Sequence, residues 1–248
     1  MKIHTYGKPE DPAVLLLHPM LVSGAQLAEH LGKRLSGSFY LISPDQGAHG
    51  EAGSEFVSAK QEAAELHRWL LAQGIREVRL LFGASLGGVT AMELLKLGKL
   101  HYRSVHLDGV PLASLGGVQA MMAPTIYLGA WKEARRNPAE SAGMLSRMYG
   151  VELGKSMAEQ LGAMNESSVR RILNACLSGC AAPLEAGLYD RMTLEWGEKD
   201  VSLRRGRSLA LELYPRAKII VRPGLGHCEY LGREPEAYAR ELDAELAE

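Results

Sequence analysis

Short apolar runs recur along the chain, and each stops at glycine, proline or polar residues. Runs of this length that are rich in Val, Ile, Leu and Phe are typical of strands buried on both faces of a sheet. The pattern predicts strands at 13–17, 39–42, 78–82, 104–108, 192–196 and 218–221. We expect the second of these to stop at Pro44, because proline has no backbone N–H to donate.

Helical periodicity fills most of the intervals between these runs. Leu27, Leu31 and Leu35 recur every four residues, which places them on one helix face. Similar patterns predict helices at 56–73, 86–97 and 202–213, and one final helix that ends at Leu246. Alternation of strands and helices predicts a parallel sheet with helices on both faces, which is an α/β fold.

One long segment departs from this alternation. Residues 112–187 contain several helical stretches and no convincing strand. We therefore expect a core formed by residues 1–111 and 188–248, interrupted by a helical cap at 112–187 that lies over one edge of the sheet.

Composition narrows the functional class. Of 248 residues, 46% are hydrophobic and 23% are charged, and the net charge is −1, as in an ordinary globular protein. No concentrated basic surface is expected, which argues against nucleic acid or an anionic membrane as a partner. The longest apolar run, 13–22, is too short to span a bilayer, and the first residues lack the apolar region of a secretory signal. With three cysteines, these features favour the cytoplasm. They leave the oligomeric state open.

The most informative motif is Gly-x-Ser-x-Gly at Gly83–Gly87, which follows a predicted strand and opens a predicted helix. This spacing builds a tight turn that exposes the serine hydroxyl at the end of a sheet. Ser85 is therefore a candidate nucleophile. Alone, the motif is weak, because small residues surround many serines.

Two further residues supply what a nucleophilic serine needs. Asp200 follows the strand at 192–196, and His227 follows the strand at 218–221. In open α/β sheets, reactive groups collect beyond the carboxyl ends of strands. The three residues are thus expected to meet there, in the chain order Ser, acid, His.

These motifs resemble the α/β-hydrolase superfamily, in its cap-bearing, esterase-like branch. The resemblance covers nearly the whole chain, apart from the helical segment at 112–187, which is an insertion in the core. It implies a serine hydrolase that cleaves a carboxylic ester through an acyl-enzyme, with Ser85 as nucleophile, His227 as base and Asp200 orienting the histidine. It also implies an oxyanion hole formed by the backbone N–H groups of Met20 and Leu86. We expect no metal or cofactor, because no His, Cys, Asp or Glu cluster has metal-ligand spacing and no glycine-rich loop has the form that binds phosphate.

The sequence departs from the family pattern at two loops. Where the family usually has His-Gly after the first strand, this chain has His18-Pro19, so position 19 has no N–H and the donor passes to Met20. The loop that commonly reads Asp-x-Pro-Gly-His-Gly is Asp45–Gly50 here, with Gly47 and Ala48 in place of Pro and Gly. We expect the loop to keep its course with a different rigidity.

Several alternatives remain open on the sequence. Asp108 also ends a predicted strand and rivals Asp200 as the acid. Thioesterase, lactonase and carbon–carbon bond hydrolase activities use the same triad on the same fold. The triad cannot distinguish them from an esterase, because the choice of substrate depends on the cap and loops. A ligand-binding protein with slow turnover is an alternative from another class. Dehalogenase and epoxide hydrolase are disfavoured, since those relatives carry Asp in place of Ser85.

A substrate pocket is expected beneath the insertion, which contains six of the chain's ten methionines. Unbranched methionines suit a deformable apolar wall, although ordinary helix packing explains them too. His18 and His49 are expected to hold loops around the pocket. The predicted pocket residues are His18, Met121, Met122, Tyr127, Trp131, Met144 and Met148.

Overall fold

A seven-stranded sheet forms the centre of the molecule in a computed structural model, which describes residues 1–247 and the side chains of all of these except 119, 120 and 186. The strands are β1 (Lys2–Tyr6), β2 (Ala13–Leu17), β3 (Tyr40–Asp45), β4 (Glu77–Ala84), β5 (His101–Asp108), β6 (Met192–Gly197) and β7 (Lys218–Arg222). Their order is β1-β3-β2-β4-β5-β6-β7. All neighbours are parallel except β1 and β3. The predicted α/β fold is confirmed.

Two details of the sheet differ from the sequence prediction. Strand β1 was not predicted, because its residues are mostly polar and none is fully buried at this edge of the sheet. Strand β3 passes through Pro44 instead of stopping there. Its pairing with β2 ends at Ile42, and beyond that point Pro44 pairs with Ile3 of the edge strand. The proline is therefore tolerated.

Helices cover both faces of the sheet. They are α1 (Gly24–His30), α2 (Ala59–Ala72), α3 (Leu86–Leu95), α4 (Gly117–Arg136), α5 (Pro138–Tyr149), α6 (Val151–Ala163), α7 (Glu166–Leu177), α8 (Leu203–Leu213), α9 (Glu229–Arg233) and α10 (Pro235–Ala247). Helix α2 begins later than predicted because Ser58 caps it, accepting the Gln61 N–H. The final helix, predicted to end at Leu246, is α10, which ends at Ala247. Its first residue is Pro235, and the short helix α9 ends just before it at Arg233.

The core lies on both faces of the sheet, as alternation along the strands requires. Leu15 and Leu17 pack into one cluster, whereas Val14 and Leu16 pack into the cluster on the opposite face. All four are fully buried. This two-sided burial explains why the central strands read as continuous apolar runs.

Helices α4–α7 all lie between β5 and β6, inside the segment for which the sequence predicted helices without strands. Helices α5 and α6 pack against each other, and α4 contacts α5, α6 and α7. Within the part of the chain that the structure describes, no helix is both long and apolar enough to cross a membrane.

Candidate active site

Ser85 lies at the junction of β4 and α3, in a strained turn. Its backbone angles are φ 49° and ψ −110°, which a side chain with a Cβ rarely adopts. The Asp108 carbonyl accepts the Ser85 N–H at 2.8 Å. Gly87 permits the turn to pack closely, because a Cβ there would lie 2.0 Å from the Leu17 carbonyl oxygen. The elbow is thus fixed between β2 and β5.

The Ser85 hydroxyl points away from its own helix. Ser85 is the N-cap residue of α3, yet its side chain makes no capping hydrogen bond. Instead Oγ lies 2.8 Å from Nε2 of His227. A serine whose hydroxyl bonds to an imidazole is arranged for proton transfer to that ring.

His227 joins Ser85 to Asp200. Its Nδ1 lies 2.6 Å from Oδ2 of Asp200, and the other carboxylate oxygen accepts the Ser202 N–H and hydroxyl, both at 2.8 Å. The loops carrying Asp200 and His227 touch at Gly197, where a Cβ would lie 2.1 Å from the Gly226 carbonyl oxygen. These contacts orient the imidazole with Nδ1 donating and Nε2 free to accept from Ser85.

Electrostatics favour a charged acid and a basic histidine. Burial would raise the pKa of Asp200, but its hydrogen bonds to His227 and Ser202 outweigh burial and lower that pKa. Burial would likewise lower the pKa of His227, but the bond and charge of Asp200, together with the charge of Asp108, raise it. The pair is therefore held as a carboxylate beside an imidazole of increased basicity.

Asp108, the rival acid, has a different environment. His227 Nδ1 bonds to Asp200, and no described residue bonds to Oδ2 of Asp108. Burial and the nearby Glu195 raise the pKa of the Asp108 carboxyl. Its backbone carbonyl accepts the Ser85 N–H and, at 3.7 Å, the Cys228 thiol. Asp108 therefore holds the turn of Ser85 and the loop of His227 through its main chain.

The two predicted oxyanion donors lie at neighbouring ends of elements. Leu86 opens α3, where the first N–H groups have no intrahelical acceptor and the helix dipole is positive. Met20 lies in the turn that follows β2, beside the first turn of α3 through the Gly87–Leu17 contact. Among the described residues, neither N–H has a hydrogen-bond acceptor.

The predicted pocket residues differ in their exposure. His18 is fully buried under the turn at Pro19, and both its ring nitrogens are hydrogen-bonded. Trp131 is buried inside the insertion, where its indole N–H donates to the Met164 carbonyl at 2.9 Å, so it serves helix packing. The remaining five lie exposed on α4 and α5: Met121, Met122, Tyr127, Met144 and Met148.

Other residues line the small cavity between the insertion and the core. This cavity has a volume of about 30 Å³ and is almost entirely apolar. It lies beside the turn of Met20 and the loop of His227, since Pro19 precedes Met20 and Cys228 follows His227. Its walls are Pro19, Val22, Leu27, His30, Tyr149, Leu153, Met157, Cys228 and Leu231.

Sequence reasoning missed two residues that support the triad. The Tyr149 hydroxyl, at the end of α5, donates to the His227 carbonyl at 3.1 Å, and nothing in the local sequence signals this contact. Ser202 follows Asp200 by two residues, a spacing typical of an Asx turn, and that pattern could have identified it. No described set of three His, Cys, Asp or Glu side chains is arranged to hold a metal ion.

Comparison with known proteins agrees with this fold. Residues 14–241 match the model of the alpha/beta hydrolase family. No curated protein matches the sequence. Similar solved structures include a protein from Desulfitobacterium hafniense assigned to the same family, with 20% identity and a TM-score of 0.76, over 99% of this chain and 100% of that one.

Two esterases have the same fold. One, from Exiguobacterium antarcticum, is 15% identical with a TM-score of 0.75, over 99% of this chain and 95% of that one. A thermophilic esterase from Thermogutta terrifontis is 18% identical with a TM-score of 0.74, over 99% and 92%. Since the family match spans most of the sequence, the chain belongs to the alpha/beta hydrolase family.

Proposed function

We propose that this protein is a serine hydrolase that cleaves carboxylic esters through a covalent acyl-enzyme. The observation that carries the proposal is the continuous hydrogen-bonded chain from Ser85 Oγ through His227 to Asp200, with contacts of 2.8 and 2.6 Å. A nucleophile, a base and an orienting acid in this geometry are the parts that acyl transfer needs.

The cycle has two halves. Ser85 Oγ attacks the ester carbon while its proton passes to Nε2 of His227. The ester C–O bond then breaks, and the departing alcohol takes that proton. Water attacks the acyl-enzyme with His227 again accepting a proton, and the carboxylic acid and free Ser85 are formed. Asp200 stabilises the imidazolium at each stage without taking the proton itself.

Negative charge on the carbonyl oxygen develops beside the first turn of α3. In the proposal, the N–H groups of Leu86 and Met20 donate to that oxygen. The partial positive charge at the α3 N-terminus acts in the same direction. One such donor contributes roughly 3–4 kcal/mol of transition-state stabilisation in comparable hydrolases.

The helical insertion is proposed as a cap over this site. It contacts the loop that carries His227 and the loop at 45–50: Tyr149 bonds to the His227 carbonyl, and Gln160 bonds to the Ala48 carbonyl and the Gly50 N–H. The proposed substrate is a small to medium ester, and the mostly apolar lining of the cavity beneath the cap favours an apolar acyl group. The esterase neighbours point to the same substrate class.

Labelling by a fluorophosphonate probe tests the nucleophile. Folded protein should form a covalent adduct that peptide mapping places on Ser85, and heat-denatured protein should not. Ser85→Ala should fold normally, lose the adduct and lose turnover of an activated aryl ester. An adduct at another residue, or an unchanged rate in Ser85→Ala, would disprove the assignment.

A panel of aryl esters, thioesters and lactones with acyl chains of different length tests the substrate class. The proposal expects the highest kcat/KM for short to medium esters. A thioester or lactone that exceeds every ester in kcat/KM by more than tenfold would reassign the reaction while leaving the triad in place.

A further inference from the structure

The turn that carries Met20 is strained and supported from outside. Leu21 has φ 75°, in the left-handed region that favours glycine. Such a residue costs about 1–3 kcal/mol and persists only where its surroundings hold it. Its N–H donates to Nε2 of His49 at 3.3 Å, across 28 residues of sequence. The strained conformation of Leu21 is therefore maintained by contacts from outside the turn, and it suggests that this conformation has a function.

The conformation of this turn determines the direction in which the Met20 N–H points. Met20 N–H belongs to the peptide whose carbonyl is that of Pro19, and this carbonyl accepts from Nδ1 of His18 at 2.8 Å and from the Val22 N–H at 3.4 Å. The described chain has no cis peptide bond, so the Met20 N–H points opposite to that held carbonyl. The next peptide is held by the bond from Leu21 to His49.

We propose that His49 is a positioning residue for the oxyanion hole: by accepting the Leu21 N–H, it holds the turn in the conformation that presents the Met20 N–H to the substrate oxygen. This inference rests on the proposed function. It assigns a task to a side chain that touches neither Ser85 nor His227 through any described hydrogen bond.

His49 is chemically suited to this task. Its Nδ1 donates to the Gly47 carbonyl at 3.0 Å, so Nε2 keeps a lone pair for the Leu21 N–H. Burial, and then the adjacent His18, lower the pKa of His49 to about 3, while Asp45 acts in the opposite direction. The ring is therefore neutral at physiological pH and remains an acceptor, whereas an imidazolium would have no lone pair to offer.

The loop beneath His49 is itself anchored. Gly47 donates its N–H to Oε1 of Glu62 at 3.2 Å, and Glu62 is buried on α2. Ala48 donates to the Ser54 carbonyl at 2.7 Å. The His49 and His18 rings also lie in contact, with centroids 4.7 Å apart. The acceptor for Leu21 is thus part of a rigid support.

Two polar substitutions of His49 distinguish a role in positioning the turn from a role in packing. In His49→Gln, Oε1 can replace Nε2 as acceptor. In His49→Asn, the amide can replace Nδ1 as donor to Gly47 but leaves no acceptor near Leu21. His67→Asn is the control, because His67 also bonds to a backbone carbonyl, that of Gly98, but on the exposed side of α2.

Each variant is assayed with an aryl ester for kcat and KM and with a trifluoromethyl ketone, which forms a tetrahedral adduct with the serine. We expect His49→Asn to lower kcat by about 10- to 100-fold, with KM within about twofold and a matching rise in the ketone Ki. His49→Gln should stay within about fivefold of wild type, and His67→Asn should be unchanged.

Failure of the inference differs from failure of the proposed function. A folded His49→Asn that keeps wild-type kcat and Ki would overturn the role of His49, as would a folded His49→Gln that loses kcat as fully as His49→Asn does. If His49→Asn does not fold, His49→Gln alone decides. Wild-type protein that neither labels at Ser85 nor hydrolyses esters would instead refute the proposed function.

Discussion

At the scale of single residues, the backbone of the candidate nucleophile, Ser85, is strained. Ser85 combines φ 49° with ψ −110°, a conformation that glycine adopts freely. The bond from its N–H to Asp108 and the close packing at Gly87 hold it there. Stability is given up at this position so that the hydroxyl can face His227.

Replacing Ser85 by glycine should therefore raise stability as it abolishes turnover. Ser85→Ala is the matched control, since both variants lose the hydroxyl bond to His227 but only glycine removes the Cβ. We expect Ser85→Gly to exceed Ser85→Ala by about 1–2 kcal/mol in unfolding free energy, or roughly 3–6 °C in Tm. Thermal unfolding of the two variants measures this difference. Equal or reversed Tm values would show that the turn is unstrained.

The proposed role of His227 as the base predicts how catalysis depends on pH. Asp200 raises the pKa of His227, and the ring must be neutral to accept the Ser85 proton. The acid limb of kcat/KM should therefore lie above 6.5, the ordinary value for histidine. Asp200→Asn removes the carboxylate, so it should move the limb to lower pH and reduce kcat strongly, by about 10⁴-fold in comparable triads. A wild-type limb at or below 6.5 would contradict this electrostatic account.

Residues with a local signature could be predicted, and residues that act through long-range contacts could not. Ser85, Asp200 and His227 each follow a strand in a recognisable glycine-containing motif, and the structure brings their side chains together. The bond from Leu21 to His49 joins a backbone N–H to a side chain on another loop, so no pattern of residue types encodes it. Tyr149 was missed for the same reason.

At the scale of elements, the end of α5 is fastened to the loop that carries His227. Arg233 of α9 donates to the carbonyls of Arg147 and Met148, at 2.8 and 3.0 Å, and so caps the last turn of α5. Tyr149 then reaches the His227 carbonyl. The insertion therefore supports the position of His227, in addition to its proposed role as a cap.

Removing this link should reduce activity more than stability. Tyr149→Phe keeps the ring in the apolar cavity but deletes the bond to His227, so we expect kcat to fall about 3- to 10-fold, in line with about 0.5–1.5 kcal/mol for one hydrogen bond. Tyr189→Phe is the control, because its hydroxyl also donates to a backbone carbonyl, that of Leu184, at 2.9 Å. Steady-state kinetics and thermal unfolding are measured on both. Equal losses of activity would indicate a general packing effect.

The elements that sequence could not predict are those whose residues lack a strong period. The central strands are buried on both faces, so their apolar runs are unambiguous. Edge strand β1 is half exposed and mostly polar. The sequence pattern gives no start for the final helix, which Pro235 begins in the structure.

At the scale of the whole molecule, a buried charged network crosses the sheet behind the site. His106 on β5 lies between Glu195 on β6 and Glu245 on α10, at 3.5 and 3.1 Å. Arg222 on β7 bonds to Glu195 at 2.7 Å. Hydrophobic periodicity predicts the sheet and its helices but not which charges pair inside it, because these partners lie far apart in sequence.

This network makes stability depend on pH. Burial would lower the pKa of His106, but bonds to Glu195 and Glu245 raise it to about 9 from 6.5. The pKa of His106 is higher in the folded protein than in the unfolded chain. Protonated His106 therefore contributes its full stabilisation below pH 6.5, and this stabilisation is lost as the pH rises through about 9. One pKa unit corresponds to about 1.4 kcal/mol, so the loss is of the order of 3 kcal/mol.

Urea unfolding at pH 6.5, 7.5 and 9 should therefore show a falling free energy for the wild-type protein. His106→Gln should be less stable at pH 6.5 and should depend less on pH, so that the two curves converge toward pH 9. Glu245→Gln should also make the unfolding free energy depend less on pH, because it removes one of the charges that retain the His106 proton. Parallel curves for wild type and both variants would show that the proton on His106 does not stabilise the fold.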